Sequence, residues 1–209
     1  MILSFIETQA LLAKYDIPTV KCEFSSDFSE IEAAFKRFSP PCVLKLISSE
    51  ATHKTEKGLL MMDLRHENDL LDGKAELERR ANGLKVEGFL LQEQLSGFEL
   101  IVGGKFNPAF GQTIIFGPGG VLVEMLDESS VRICPLTKKD AEEMLSETRA
   151  RKFFEGFRGK KASKEAVLNI LLKTSRLLEE NPRIRELDFN PVIADEKKAW
   201  IADSRIVIG

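Results

Sequence analysis

The sequence predicts an α+β protein folded as two lobes, on the strength of three patterns. Residues 19 to 64 place an amphipathic helix between short apolar strands, a β-α-β opening. Residues 86 to 134 are a run of strands separated by turn signals, the pattern of an antiparallel sheet. The chain then closes on two strands, between about 184 and 205, in which acidic and apolar residues alternate. The lobe boundary is expected near Gln92 to Ser96, giving an N-terminal helix at 1–18, a first lobe at 19–92 and a second at 93–209.

Taken in order, Leu3, Ile6, Ala10, Leu11 and Ala13 repeat at helical spacing, and Pro18 ends that segment because it disfavours helix at the residue before it. Thr19 to Phe24 reads as a strand. Ser26-Asp27 supplies the cap for a helix from about Ser29 to Phe38. Pro40-Pro41 starts the next strand, and Leu59 to Leu64 is its hairpin partner. A helix from about Asn68 to Ala81 ends at Gly83. Strands follow at Val86 to Gln94, Phe98 to Gly103 and Ala109 to Phe116, with further strand at Val123 to Leu126 and Val131 to Ile133. Thr137 caps a helix over Lys138 to Ser146. Gly156-Phe157-Arg158-Gly159 is a polar loop, and Ser163 to Glu179 a long amphipathic helix. Ile184 to Ala194 and Ala199 to Arg205 form the closing hairpin.

The composition sets limits on function. With 209 residues the chain can bury a substantial core, and its 43% hydrophobic and 30% charged content is ordinary for a globular protein. A net charge of −3 argues against a dedicated nucleic-acid binder, which would carry a basic footprint. No apolar run approaches the ~18 residues that span a bilayer. The first residues lack the basic leader of a signal peptide, so a cytoplasmic location is expected. Cys22, Cys42 and Cys134 are scattered among apolar neighbours and read as small core residues in a reducing compartment.

Three stretches carry chemistry. The first is Cys42-Val43-Leu44-Lys45-Leu46-Ile47, an apolar strand with one lysine in it, followed by a polar loop with His53-Lys54 that returns at Gly58. Burying an ammonium without an anion is costly, so Lys45 either binds a phosphate or faces solvent on an edge strand. The second is Phe116-Gly117-Pro118-Gly119-Gly120. Such a loop lets backbone N–H groups approach phosphate oxygens, although it lacks both the P-loop and the dinucleotide-binding spacing. It is otherwise a plain glycine turn. The third is Glu186-Leu187-Asp188-Phe189-Asn190, in which alternation puts the three oxygen-bearing side chains on one strand face. A hairpin through Asp195 to Lys198 would bring Asp203 beside them. Converging carboxylate and amide oxygens suit Mg²⁺. The competing reading is a solvated sheet face opposite Arg185 and Arg205.

Four segments together resemble one family: the lysine strand with His-Lys-Thr-Glu-x-Gly, Phe-Gly-Pro-Gly-Gly-Val-x-Val-Glu with the later Arg132 and Pro135, Gly-x-Arg-Gly, and Glu-Leu-Asp-Phe-Asn-Pro. Their order and spacing are similar to the ATP-grasp domain, or β subunit, of nucleoside-diphosphate-forming acyl-CoA synthetases. The resemblance implies an ATP-grasp fold of two α+β lobes clamping a nucleotide, with ATP or ADP and Mg²⁺ as cofactors. It implies that Lys45, Gly58, Gln92, Glu93, Leu95, Glu99, Gly117, Gly119, Gly120 and Arg132 serve the nucleotide. By the same resemblance Asn190, Asp203 and Asp188 hold the metal, and His53, with Lys54 beside it, carries a phosphoryl group. A separate CoA-binding α subunit is the implied partner. The alternatives are an ATP-grasp carboxylate ligase working without an α subunit, and an ATP-sensing regulatory subunit. The sequence departs from the family pattern at Leu59, where a second glycine is usual, at Pro118 within the glycine loop, and at Glu128.

Overall fold

The computed structural model describes residues 1–48, 58–120 and 129–209. It is a mixed α/β protein that divides into two compact units, Val20–Leu95 and Met1–Thr19 with Ser96–Gly209.

The unit Val20–Leu95 is built on a four-stranded antiparallel sheet. Its strands are β1 (Cys22–Ser25), β2 (Cys42–Ile47), β3 (Leu60–Leu64) and β4 (Gly88–Glu93), in the order β1-β4-β2-β3. Helices α2 (Phe28–Phe35) and α3 (Glu67–Arg80) supply the apolar side chains that meet one face of it. Strand alternation sorts β2: Cys42, Leu44 and Leu46 enter the core with Ile31, Phe35, Leu70 and Leu77, while Val43, Lys45 and Ile47 take the other face. Burying each such Leu or Ile stabilises the unit by roughly 1.5–3 kcal/mol. The Asp27 side chain accepts the N–H of Ser29 and starts α2, as the cap signal predicts. At α3 the carboxylate of Asp69 accepts the N–H groups of Arg65 and His66. Those two bonds hold its pKa below the ordinary aspartate value. Gly88 is required where β4 passes β1, because a Cβ there would stand 2.4 Å from the carbonyl oxygen of Ser25.

The other unit carries a six-stranded sheet. Its strands are β5 (Phe98–Asn107), β6 (Gly111–Pro118), β7 (Ser130–Ile133), β8 (Ile184–Ala194), β9 (Ala199–Ile201) and β10 (Ser204–Ile208). The order is β10-β8-β5-β6-β7, with β9 pairing the far end of β8. Helices α4 (Lys138–Glu147), α5 (Arg151–Glu155) and α6 (Lys164–Glu180) contribute Met144, Leu145, Phe154, Ile170, Leu171 and Leu178 to a core shared with the sheet. The N-terminal helix α1 (Phe5–Lys14) belongs to this core through Leu12, with Tyr15 and Ile17 just after it. Ser4 and Glu7 form the capping box of α1, and Thr137 and Asp140 that of α4. The Tyr15 hydroxyl donates to Glu180 of α6 at 2.9 Å, which ties α1 to a segment 165 residues away.

The structure revises the sequence reading in several places. Gly103-Gly104, a turn signal in the sequence, lies inside β5, which runs on to Asn107, and β6 extends to Pro118, because both stretches are paired across the sheet. Residues 199–205 are two short strands, because β8 pairs first with β9 and then, past Ala202-Asp203, with β10. The five-residue α5 has no apolar repeat long enough to announce it; Phe154 alone anchors it in the core. All three cysteines are free, and burial raises the pKa of each. Among the described residues no helix is long and apolar enough to cross a membrane.

Candidate functional site

Lys45 lies in the middle of β2, which is an interior strand flanked by β4 and β3. Its edge-strand reading is therefore excluded: the side chain is 6% exposed, with Leu90 and Leu60 as its cross-strand neighbours. Gln92, 5% exposed, stands opposite Val43 and Cys22 on the same face. This face thus presents a buried ammonium and a buried amide among aliphatic side chains. Glu93 takes an ion pair from Lys21 at 3.1 Å, and Leu95 is half-buried at the end of the unit.

Gly58 marks where the polar loop rejoins the sheet. It sits at φ +64°, a left-handed conformation that favours glycine. Arg80 of α3 donates to the Gly58 carbonyl at 2.8 Å, and Glu76 grips Arg80 at 2.7 Å. Leu59 beside it is fully buried in the core, so the base of the loop is fixed by a hydrophobic anchor and an arginine. His53 and Lys54 lie outside the described residues, as do Val121 to Leu126 and Glu128.

In the other unit, Glu99 of β5 and the glycine loop are built together. The Gly119 N–H donates to the Glu99 carbonyl at 2.8 Å. A Cβ on Gly119 would stand 2.8 Å from backbone atoms of Glu99 and Leu100. Gly120 sits at φ +83°, a left-handed conformation that favours glycine. Gly117 continues β6 opposite Ile101. The result is a stretch of bare backbone beside an exposed carboxylate.

The closing acidic residues share one sheet face. Across the strands, Arg205, Asp188, Gly103, Ile115 and Val131 form one row, and directly opposed residues point the same way. Asn190 lies two positions along β8 from Asp188, where the pairing with β5 is irregular and β8 exchanges β10 for β9. Its N–H donates to the Asp203 carbonyl at 3.2 Å, so Asn190 and Asp203 are adjacent, as the hairpin reading expects. The Asp203 carboxylate accepts the N–H of Ser204 at 2.9 Å. Glu186 takes Arg205 at 3.1 Å, so part of this face is an ion-paired surface.

Asn190, Asp203 and Asp188 are all oxygen donors, and Mg²⁺ needs only one or two protein carboxylates when phosphates and water complete its shell. Consistent with a sparse donor set, no group of three or more His, Cys, Asp or Glu side chains among the described residues is placed to hold a metal by itself. The Gly119 N–H is spent on Glu99, so the fit rests on these oxygen donors, which suit a magnesium ion whose shell phosphates and water complete.

Arg132 is placed elsewhere. Its row on the sheet runs through Ile114, Gly104 and Leu187, the side that packs against α6. There its guanidinium is bound by Glu147 of α4, which raises its own pKa and lowers that of Glu147. Sequence reasoning missed Arg80, which holds Gly58 from 22 positions away and had no local signal. Arg205, which the competing reading named, stands opposite Asp188.

The fold is a mixed α/β one built on two antiparallel sheets. A family profile described as an ATP-grasp domain matches residues 1–208, and the chain belongs to that family. It is 31% identical over 208 residues to the β subunit of ADP-forming acetate–CoA ligase I from Pyrococcus furiosus, covering 97% of this chain and 90% of that one. It is 39% identical over 210 residues to ADP-forming acetate–CoA ligase II of Archaeoglobus fulgidus, of which it spans only 31% of the length. In structure it is similar to the dinucleotide-forming acetyl-coenzyme A synthetase 1 of Ca. Korarchaeum cryptofilum in complex with coenzyme A, Ca-AMPCP and HgCl⁺. That match has a TM-score of 0.94 and 34% identity, covering 100% of this chain and 93% of the other. A second structure of that protein, with coenzyme A and Mg-AMPPCP and its phosphohistidine segment pointing towards the nucleotide binding site, matches with a TM-score of 0.85 and 33% identity, covering 100% of this chain and 93% of that one.

Proposed function

We propose that this chain is the nucleotide-handling β subunit of an ADP-forming acyl-CoA ligase, which converts acyl-CoA, ADP and phosphate to carboxylic acid, ATP and CoA. The observation that carries the reading is its likeness to a protein named as a β subunit, over 90% of that subunit's length. The buried Lys45 and the adjacent Asn190 and Asp203 supply the chemistry such a subunit requires.

In this reading Lys45 takes nucleotide phosphate as a compact charge. Gln92, Glu93, Leu95 and Glu99 serve the base and ribose, Gly117 and Gly120, either side of Gly119, offer backbone to the phosphates, and Gly58 anchors the loop that bears His53. Arg132 acts through its bond to Glu147, steadying β7 against α4. Asn190 and Asp203, with Asp188 alongside, hold Mg²⁺, which when bound supplies charge neutralisation for phosphoryl transfer. His53 carries the phosphoryl group: its P–N bond breaks as an ADP phosphate oxygen forms the new P–O bond, and Lys54 offsets the charge. A companion α subunit brings the CoA site.

The test is reconstitution. The purified chain, with and without a co-expressed companion from the same genome, is given ADP, phosphate and a panel of acyl-CoAs. The reading expects ATP only with the companion. ATP use without one supports a self-sufficient ligase, and nucleotide binding with no turnover in either case supports a regulatory subunit.

A further inference from the structure

The turn between α4 and α5 borders a cavity of about 560 Å³ that the proposed nucleotide chemistry does not use. Ser129, Ser146, Thr148, Arg149, Arg151 and Lys152 line it, together with Glu147. Both helices contribute to the core on the side of the sheet opposite Asp188, so the cavity belongs to a different surface of the unit.

Its charge is unbalanced. Arg151 and Lys152 are exposed, and neither side chain has a carboxylate partner among the described residues. The one acid in the lining, Glu147, is already occupied, because it accepts from Ser130 at 2.7 Å and from Arg132. The chain from Arg149 to Lys164 adds further lysines and arginines with Glu155 as its only acid. The same turn also carries an unsatisfied polar atom. Thr148 is 5% exposed, and its buried hydroxyl oxygen has no hydrogen-bond partner among the described residues. That atom is closed off from solvent, so the hydroxyls that a ligand can meet are those of the exposed Ser129 and Ser146. Two unpaired cations beside hydroxyl groups select a small dianion with several acceptor oxygens over a monocarboxylate. The volume falls within the ~300–1,000 Å³ of small-molecule sites.

We propose that this cavity is a second anion site, which takes a phosphate group, either free or as the phosphomonoester of a small molecule. The site is independent of the nucleotide reading above. Its test is a ¹⁵N–¹H NMR titration of the whole chain with inorganic phosphate and, separately, with AMP; the two titrants distinguish the free ion from the monoester. Either titrant is expected to shift the amide signals of Ser129 and Thr148 to Lys152. The double variant Arg151→Gln/Lys152→Gln should weaken that response about tenfold, as expected for loss of charge-assisted bonds. Signals in this turn that stay still with both titrants, or that shift equally in the double variant, would overturn the site. Mg·ATP serves as the control for the nucleotide reading, since it should move Gly103, Asp188 and Asp203 instead.

Discussion

Single residues here are decided by what surrounds them. Lys45 is legible in the sequence as an oddity, and its burial inside β2 turns that oddity into a constraint, because an interior ammonium requires anionic company. Gly119 is another case. Its φ is not in the left-handed region, so the need for glycine is steric: a Cβ would meet the backbone of Glu99 and Leu100 at 2.8 Å. Backbone cannot step aside as a side chain tip can. Gly119→Ala should therefore destabilise the protein by about 1–3 kcal/mol, the usual cost of overpacking, and should also weaken nucleotide binding. Denaturant unfolding measures the first effect; unchanged stability would show that the loop has room to move.

Elements show where sequence reasoning holds and where it stops. Two helix starts were legible because caps are local: Asp27 and Thr137 each act within three residues of themselves. The division of the last strand into β9 and β10 was not, since it depends on which partner β8 offers at each position. Nor could sequence place Arg132 on the helix side of the sheet, a matter of register against β6. The base of the His53 loop is likewise a tertiary construction, a chain from Glu76 to Arg80 to the Gly58 carbonyl. Hydrogen bonds from Arg79 and Arg80 hold the Glu76 carboxyl at about 2, against its ordinary 4.5. A carboxyl whose pKa is lowered on folding stabilises the protein fully above its unfolded pKa, and that contribution is lost as pH falls through the folded value. The stability difference between the wild type and Glu76→Gln should thus shrink as pH is lowered from about 6 towards about 2. Urea unfolding across that range checks it, and a difference independent of pH would mean that the Glu76 ion pairs do not act on folding.

The whole molecule reads as an ATP-grasp chain because separate stretches of chain, each ambiguous alone, match one family in order. The alternation of Glu186, Asp188 and Asn190 was readable, and so was the approach of Asp203; what sequence left open was whether that face is a metal site or a solvated surface. The structure pairs Glu186 with Arg205 and bonds the backbone of Asn190 to that of Asp203, and the metal role belongs to the proposed function. If His53 carries phosphoryl, His53→Ala should abolish net ATP formation in the reconstituted complex while nucleotide still binds. Wild-type turnover in that variant would remove the carrier role.

Calorimetric titration of Mg·ATP into the wild type, Lys45→Ala and Asp203→Ala tests the nucleotide reading most directly. Losing one charge-assisted contact to the ligand costs about 1.5–3 kcal/mol, so each variant should bind roughly tenfold or more weakly. Asp203→Ala should in addition lose the dependence of binding on magnesium. If both variants bind Mg·ATP as the wild type does, neither residue touches the ligand and the proposed function fails.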